Sequence, residues 1–402
     1  MRHEKSPLRR YGITGNPDYG SKPFTDIQSV TPETPLERLN LNWRECDLPE
    51  RERTKHVHRL HPYLGKFVPQ LVEIFLRKYQ PRTVCDPFCG SGTTLVEANC
   101  LGIQSVGCDV CEFNCLLTRA KLEHYDLLLL QREVQDILER LRLGLESPLF
   151  RQETTHSLEQ ASPYLRTWYA PTALRQLLYF KSLIPNYRYQ LLFQVILSRA
   201  ARSARLTTHY ELDFPKKPQT QPYYCHKHKR VCKPTQDALQ FLVRYCADAL
   251  RRIEEFQKLR TSAPFQILCG DARNVKFPPT DLVVTSPPYV GLIDYHEQHR
   301  YAYELLDLPM QVESEIGRAS LGQSQAAIQR YLDDMSRAFA NVLESLRPGG
   351  RVVIVVYDRF QLYDRIASRL GCRVEHRFQR HVNRRTGRRA TDFFEDVIIW
   401  RV

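Results

Sequence analysis

The stretch Val84 to Ala98 (VCDPFCGSGTTLVEA) limits what this chain can fold into more than any other. Apolar residues run into Asp86, the turn Phe88-Cys89-Gly90-Ser91-Gly92 follows, and a helical pattern resumes from Thr93 to Leu101. Ser105 to Cys108 then reads as a second strand. Glycines between strand and helix let the backbone turn tightly and approach a ligand. Asp109 closes the second strand, where a carboxylate can accept hydrogen bonds from a ribose diol. No Gly-Lys-Ser/Thr follows, so the turn is not a phosphate loop, and it departs from the dinucleotide fingerprint G-x-G-x-x-G. The pattern implies an adenosine cofactor without phosphates.

Around this unit the chain divides by pattern. Residues 1–55 hold six prolines (Pro7, Pro17, Pro23, Pro32, Pro35, Pro49) and no sustained periodicity, which predicts an extended arm. Val68 to Tyr79 has the spacing of one helix face, ended by Pro81. Strand and helix alternation breaks off at residue 120. Helical patterns fill 120–264: Leu127 to Leu145, Leu174 to Leu183, Tyr189 to Arg202 and Ala238 to Leu259. Alternation resumes with strands at Gln266 to Cys269 and Asp281 to Thr285, a helix over Tyr331 to Leu346 and a strand over Val352 to Tyr357. Arg373 to Phe378 and Val397 to Val402 can pair as an antiparallel hairpin. The expected architecture is one α/β domain from 56–119 and 265–402, with a Rossmann-like, mostly parallel sheet, interrupted by a helical insert at 120–264.

Lys and Arg number 58 against 45 Asp and Glu, and the net charge of +13 favours a polyanionic partner, nucleic acid above all. Neither a long apolar run nor a charged-then-apolar leader is present, which predicts no membrane span and no secretion. The 12 cysteines lie mostly in apolar, strand-like runs, as expected in a reducing compartment. The expected location is cytoplasmic, with the nucleoid.

A second motif, DLVVTSPPYVG over Asp281 to Gly291, is an apolar strand ending in Ser286-Pro287-Pro288-Tyr289. Together with DPFCGSGTT it resembles the S-adenosylmethionine-dependent DNA methyltransferases that modify exocyclic amino groups, cytosine N4 or adenine N6. The resemblance runs from HPYLGKFVPQL at His61 through GDAR at Gly270 to the C-terminal strands. It implies a class I methyltransferase fold, double-stranded DNA as partner and a cognate restriction endonuclease as a candidate second partner. It further implies that Lys66 and Phe67 pack on the methionine end of the cofactor and that Asp271 lies near its adenine. Asp86, Phe88, Gly90, Ser91, Gly92, Thr93, Thr94 and Asp109 complete the expected cofactor site.

The chemistry accounts for the tetrapeptide. An exocyclic amine is a weak nucleophile because its lone pair is delocalised into the ring, so the site must accept hydrogen bonds from the NH2 group. The Ser286 hydroxyl and the Pro287 carbonyl can supply acceptors, Pro288 helps hold the turn rigid, and Tyr289 can stack on a flipped base. Cytosine-C5 chemistry needs a Pro-Cys nucleophile, and none of the 25 prolines precedes a cysteine. Serine rather than aspartate at the first position leans toward cytosine N4, because the adenine enzymes of the family mostly carry Asp-Pro-Pro-Tyr. Cofactor motifs come before Ser-Pro-Pro-Tyr here and the insert comes before GDAR, an order unlike the family's usual permutations. An RNA or protein amine methyltransferase and a catalytically silent nucleic-acid binder stay open as alternatives.

Three basic groups are candidate DNA contacts: Arg199, Arg202 and Arg205 at helical spacing; Lys216, Lys217, Lys229 and Arg230 in a loop; and Arg380, Arg384, Arg385 and Arg388 about the tip of the C-terminal hairpin. In the loop, Cys225-x2-His228-x3-Cys232 offers three ligands to a structural zinc, with a fourth from His226, His209 or Cys246. A solvated basic loop is the alternative.

Overall fold

The structure is a computed structural model that describes residues 24–43, 46–65, 67–147, 158–213, 215–382 and 394–402. Lys66, Arg384, Arg385 and Arg388, with the early prolines Pro7, Pro17 and Pro23, lie outside these. After short helical turns between Ile27 and Arg59, the longer elements are α1 (Pro69–Tyr79), β1 (Thr83–Asp86), α2 (Thr93–Cys100), β2 (Gln104–Asp109) and α3 (Glu112–Leu122). The insert follows as α4 (Leu127–Glu146), α5 (Pro163–Trp168), α6 (Pro171–Leu183) and α7 (Gln190–Ala204), a small hairpin β3 (Tyr223–Cys225) and β4 (Arg230–Cys232), and α8 (Leu239–Gln257). The chain then forms β5 (Phe265–Cys269), β6 (Thr280–Thr285), α9 (Arg300–Leu306), α10 (Gln325–Leu343), β7 (Leu346–Val356), α11 (Leu362–Arg369), β8 (Arg373–His381) and β9 (Phe394–Arg401).

Seven strands form one sheet in the order β5-β2-β1-β6-β7-β9-β8. The ladders from β5 to β7 are parallel. β9 runs antiparallel between β7 and β8, with Arg380 opposite Glu395 and Arg373 opposite Arg401. This is the class I methyltransferase sheet that the motifs implied. Several boundaries differ from the sequence pattern: β7 starts at Leu346, β8 runs on to His381 and β9 starts at Phe394. α10 starts at Gln325 because the Ser324 hydroxyl accepts the Ala327 N–H at 3.2 Å and caps the helix there. It ends before Leu346, which belongs to β7. The short helix α5 falls where no sustained spacing marks it.

Residue alternation assigns the two faces of the sheet. Cys85, Val283, Val352, Ile354, Ile398 and Trp400 pack on α10 and α11. Their neighbours Val84, Leu282, Val353, Val355, Val397 and Ile399 pack on α1 and on Val30, Leu39, Leu41 and Trp43. The described part of the proline-bearing arm is therefore built into the core, and Asn42 accepts the His381 N–H at 2.7 Å. A third apolar cluster joins α2 and α3 to the insert helices α4 to α8 and to α9. Among the described residues no helix is long and apolar enough to cross a membrane, and the cysteines are free thiols.

Of the buried imidazoles, His56, His61 and His299 adjoin aromatic rings of this third cluster or of one another. His56 stacks on Phe256 with ring centroids 5.2 Å apart, and His61 lies 5.1 Å from Phe113 and 6.0 Å from His299. Burial holds all three neutral, with His56 down to about 2, His299 to about 3 and His61 well below the ordinary value. A folded pKa below the unfolded value near 6.5 gives stability that is full above pH 6.5 and is lost as pH falls. Each histidine then gives up roughly 2 kcal/mol between pH 7 and pH 5. Asp86 and Asp396, each pushed up to about 6 by burial, work the other way but recover only about 1 kcal/mol apiece over that interval. The melting temperature in scanning calorimetry is therefore expected to drop from pH 7 to pH 5, and to drop less steeply for His299→Gln.

Candidate active site

Strand order reverses at β1, with β2 on one side and β6 on the other, so a crevice opens at the carboxyl ends of these strands. Its frame is the fully buried Asp86 at the end of β1. Oδ1 accepts the Thr285 hydroxyl at 2.7 Å and the Phe88 N–H at 3.2 Å, and Oδ2 accepts the Thr94 hydroxyl at 2.7 Å. One carboxylate thus ties β1, the glycine turn, α2 and β6 together. Gly90 (φ +48°) and Gly92 (φ +78°) occupy left-handed backbone that a side chain disfavours. A Cβ on Gly92 would lie 2.5 Å from Thr118 Cγ2. The fully buried Lys121 ammonium donates to the Ser91 carbonyl from α3.

Next to this turn lies Asp109. Its carboxylate accepts the Gly90 N–H at 2.8 Å, the Cys111 N–H at 2.8 Å and the Asn114 amide at 3.0 Å, while burial raises its pKa. The cleft measures about 730 Å³ with its open mouth included, within the usual range for small-molecule sites. Of the residues read from the sequence, Phe67, Phe88, Gly90, Ser91, Thr93, Asp109, Asp271, Ser286 and Pro288 line it. Asp86, Gly92 and Thr94 do not; they shape the turn from beneath, as their burial and bonding require, and Pro287 and Tyr289 also lie outside its lining. Asp271 reaches the cleft with its carboxylate clamped by Arg273, which also binds Asp334 at 2.6 Å.

Several lining residues lie outside the set expected from the sequence. Tyr63 sits two residues after His61, in the segment already singled out, and its hydroxyl accepts from Asn114 at 3.1 Å. Tyr295, which follows Ser-Pro-Pro-Tyr closely enough for the sequence to place it at the pocket or at a helix start, opens the short helix Tyr295–Gln298; Glu315, from a separate loop, accepts the backbone N–H groups of Tyr295 (3.0 Å) and His296 (2.8 Å). No local pattern marked Asn114 or Glu315.

The Ser-Pro-Pro-Tyr segment leaves β6 directly into the cleft wall. Pro287 is buried, and the Pro288 carbonyl accepts the Tyr331 hydroxyl at 2.8 Å. The Tyr289 hydroxyl donates to Glu395 Oε1 at 3.3 Å, and Glu395 Oε2 pairs with Arg380 at 2.6 Å. Arg380, expected at a DNA backbone from its place near the hairpin tip, is only 6% exposed and pairs with Glu395, behind Tyr289, rather than standing free at the surface. The Arg199, Arg202 and Arg205 row also turns inward. Arg199 pairs with Asp248 at 2.6 Å, Arg202 pairs with Asp213, and the buried Arg205 lies 4.6 Å over the Tyr301 ring. Two carboxylates and an aromatic ring thus occupy these guanidinium groups, which were expected to face phosphates. By contrast Lys216, Lys217, Lys229 and Arg230 are exposed. Cys225, His228 and Cys232 converge with His209, whereas Cys246 is buried in the helical core and His226 points to solvent beside Tyr224.

Residues 22–119 match a family model described as DNA methylase, of the N6 and N4 type. The chain is 35% identical to the type II methyltransferase M.MjaII of Methanocaldococcus jannaschii, over 87% of this chain and 81% of that protein. It is 23% identical to the type II methyltransferase M.MvaI of Kocuria varians, over 65% of this chain and 60% of that one. Identity to the type II methyltransferase M.BsoBI of Geobacillus stearothermophilus is 28%, over 31% of this chain and 27% of that protein.

The glycine turn gives a paired test. Gly92→Ala meets both the left-handed backbone and the Thr118 overlap, and is expected to lower stability by about 2 kcal/mol or more in urea denaturation. Gly102→Ala, also at positive φ (+71°) but facing open space, is expected to lose only about 1 kcal/mol.

Proposed function

The chain belongs to the type II DNA methyltransferases that act on exocyclic amino nitrogens with S-adenosylmethionine, and on that premise we propose that its target is N4 of a cytosine flipped out of duplex DNA. The observation that carries this reading is Ser286, a serine rather than a carboxylate, in the wall of the same cleft as Asp109 and Gly90. A serine hydroxyl and the Pro287 carbonyl accept the two amine hydrogens and draw the nitrogen lone pair out of conjugation. Among the described hydrogen bonds none engages the Pro287 carbonyl, while the Pro288 carbonyl is taken by Tyr331. The Tyr289 ring stacks on the base, its hydroxyl anchored by Glu395 and Arg380 so that the ring keeps one orientation.

The cleft fits the methyl donor. Phe67, Phe88 and Ile316 supply apolar walls. A carboxylate has about four acceptor positions, and Asp109 gives three to Gly90, Cys111 and Asn114, which leaves one for a ribose hydroxyl. S-adenosylmethionine supplies the electrophilic methyl group when bound. A covalent enzyme intermediate is not needed, and Cys89, although it lines the cleft, is poorly suited to form one because burial holds its thiol well above the usual range.

Target recognition falls in this reading to the insert at 120–264, whose exposed Lys216, Lys217, Lys229 and Arg230 meet the phosphate backbone. The arm at 1–55 and the two halves at 56–119 and 265–402 serve the catalytic domain. The type II names of the relatives support a cognate restriction endonuclease as companion, and a cytoplasmic site of action beside the chromosome.

Nucleosides from the DNA of a methylation-deficient host expressing this chain are expected to contain N4-methylcytosine by mass spectrometry, and a Ser286→Ala control is expected to lack it. N6-methyladenine in its place would overturn the base assignment, and methylated RNA with unmethylated DNA would overturn the polymer. On duplex substrate, Tyr289→Phe should stay within about tenfold of the parent rate, whereas Tyr289→Ala should lose roughly 10- to 100-fold, the worth of one stacked base.

A further inference from the structure

We propose that His209, Cys225, His228 and Cys232 form a tetrahedral zinc site that fastens the β3–β4 hairpin to the chain leaving α7. One ligand atom from each of these four residues lies within 4.8 Å of the others. Cys225 Sγ is 3.7 Å from His209 Nδ1 and 3.6 Å from His228 Nδ1, and Cys232 Sγ is 3.6 Å from His228 Nδ1. With Zn–S near 2.3 Å and Zn–N near 2.05 Å, a tetrahedron has S···N edges of about 3.6 Å. The three sulfur–nitrogen separations fall on that edge.

The local fold needs such a fastening. β3 and β4 are three-residue strands joined by a turn with Lys229 at φ +51°, and Tyr224 and Val231 are 58% and 65% exposed. A ribbon this short buries too little apolar surface to stand alone. Its two cysteines are nonetheless buried and face the imidazoles. Tyr223 positions the segment of the fourth ligand, its hydroxyl accepting the His209 backbone N–H at 3.1 Å; the same hydroxyl lies 2.8 Å from His209 Nδ1, a contact that zinc coordination by that nitrogen replaces. Two thiolates and two neutral imidazoles cancel the charge of Zn²⁺, so the ion adds no net charge to a segment already carrying Lys227, Lys229, Arg230 and Lys233. The buried His56, His58 and Glu97 grouping differs, because the Lys55 ammonium already stands 2.8 Å from Glu97.

The test uses the full chain purified without chelator. Inductively coupled plasma mass spectrometry is expected to find one zinc per chain, and exchange with Co²⁺ to give the visible bands of tetrahedral cobalt with thiolate charge transfer. Cys225→Ser and His209→Ala should each retain at least about tenfold less zinc after gel filtration, while His226→Ala and Cys246→Ala retain it fully. S-adenosylmethionine binding by His209→Ala reports whether that variant is folded; should it not fold, the cobalt spectrum of the parent chain decides the coordination. A parent chain that takes up no zinc, a Cys225–Cys232 disulfide in its intact mass, an octahedral cobalt spectrum, or His226→Ala losing zinc as His209→Ala does would each overturn the assignment.

Discussion

The buried carboxylate of Asp86 is the point on which the geometry of the cleft hangs. It binds hydroxyls from Thr94 on α2 and Thr285 on β6 and the N–H of Phe88 in the turn, so it sets the separation of the two strands that flank the crevice. Thr285 is the residue immediately before Ser286. A shift in the glycine turn is therefore carried to the Ser-Pro-Pro-Tyr segment through two hydrogen bonds, and the halves of the site, nearly 200 positions apart in sequence, are held in register by one side chain. The turn itself hands on a second constraint, because the Gly90 N–H orients Asp109 at the end of β2.

The helical insert is coupled to the same site by packing. Arg205, at the end of α7, lies over Tyr301; Tyr301 stacks on His61 at 6.3 Å between ring centroids; His299 stacks on Tyr63 at 5.4 Å, and Tyr63 lines the cleft. Each contact is between buried or half-buried groups, so the path has little room to give. Helix α7, which leads into the segment of exposed lysines, thus shares one apolar core with the elements around the cleft.

How much of this could be read from the sequence follows from how local each requirement is. The glycine turn, Asp109 and Ser286 were readable because a backbone turn and a strand end declare themselves within a few residues. Tyr63 was nearly so, since its segment was singled out for Lys66 and Phe67. Glu315 was not, because its role depends on two backbone N–H groups about 20 residues away in the first turn of a short helix. The arginines of α7 show the same limit from the other side. Helical spacing places them on one face, but only the fold brings Asp248 and Asp213 against Arg199 and Arg202. His209 became a distinct candidate ligand for the same reason, being 16 positions from Cys225 and brought beside it by the chain after α7.

The position of β9 bears on how the molecule is made. This strand, Phe394–Arg401, is not at the sheet's margin but between β7 and β8, and it carries Glu395, the anchor of Tyr289. During vectorial synthesis the two strands that flank it emerge first and must wait, β8 with no neighbour and β7 with one exposed edge. The sheet closes, and the tyrosine acquires its support, only when residues near 400 have left the ribosome. A nascent chain stalled short of that point would hold the glycine turn and the Ser-Pro-Pro-Tyr segment yet lack the strand that anchors the tyrosine, a built-in delay between assembling the cleft and fixing Tyr289 beside it.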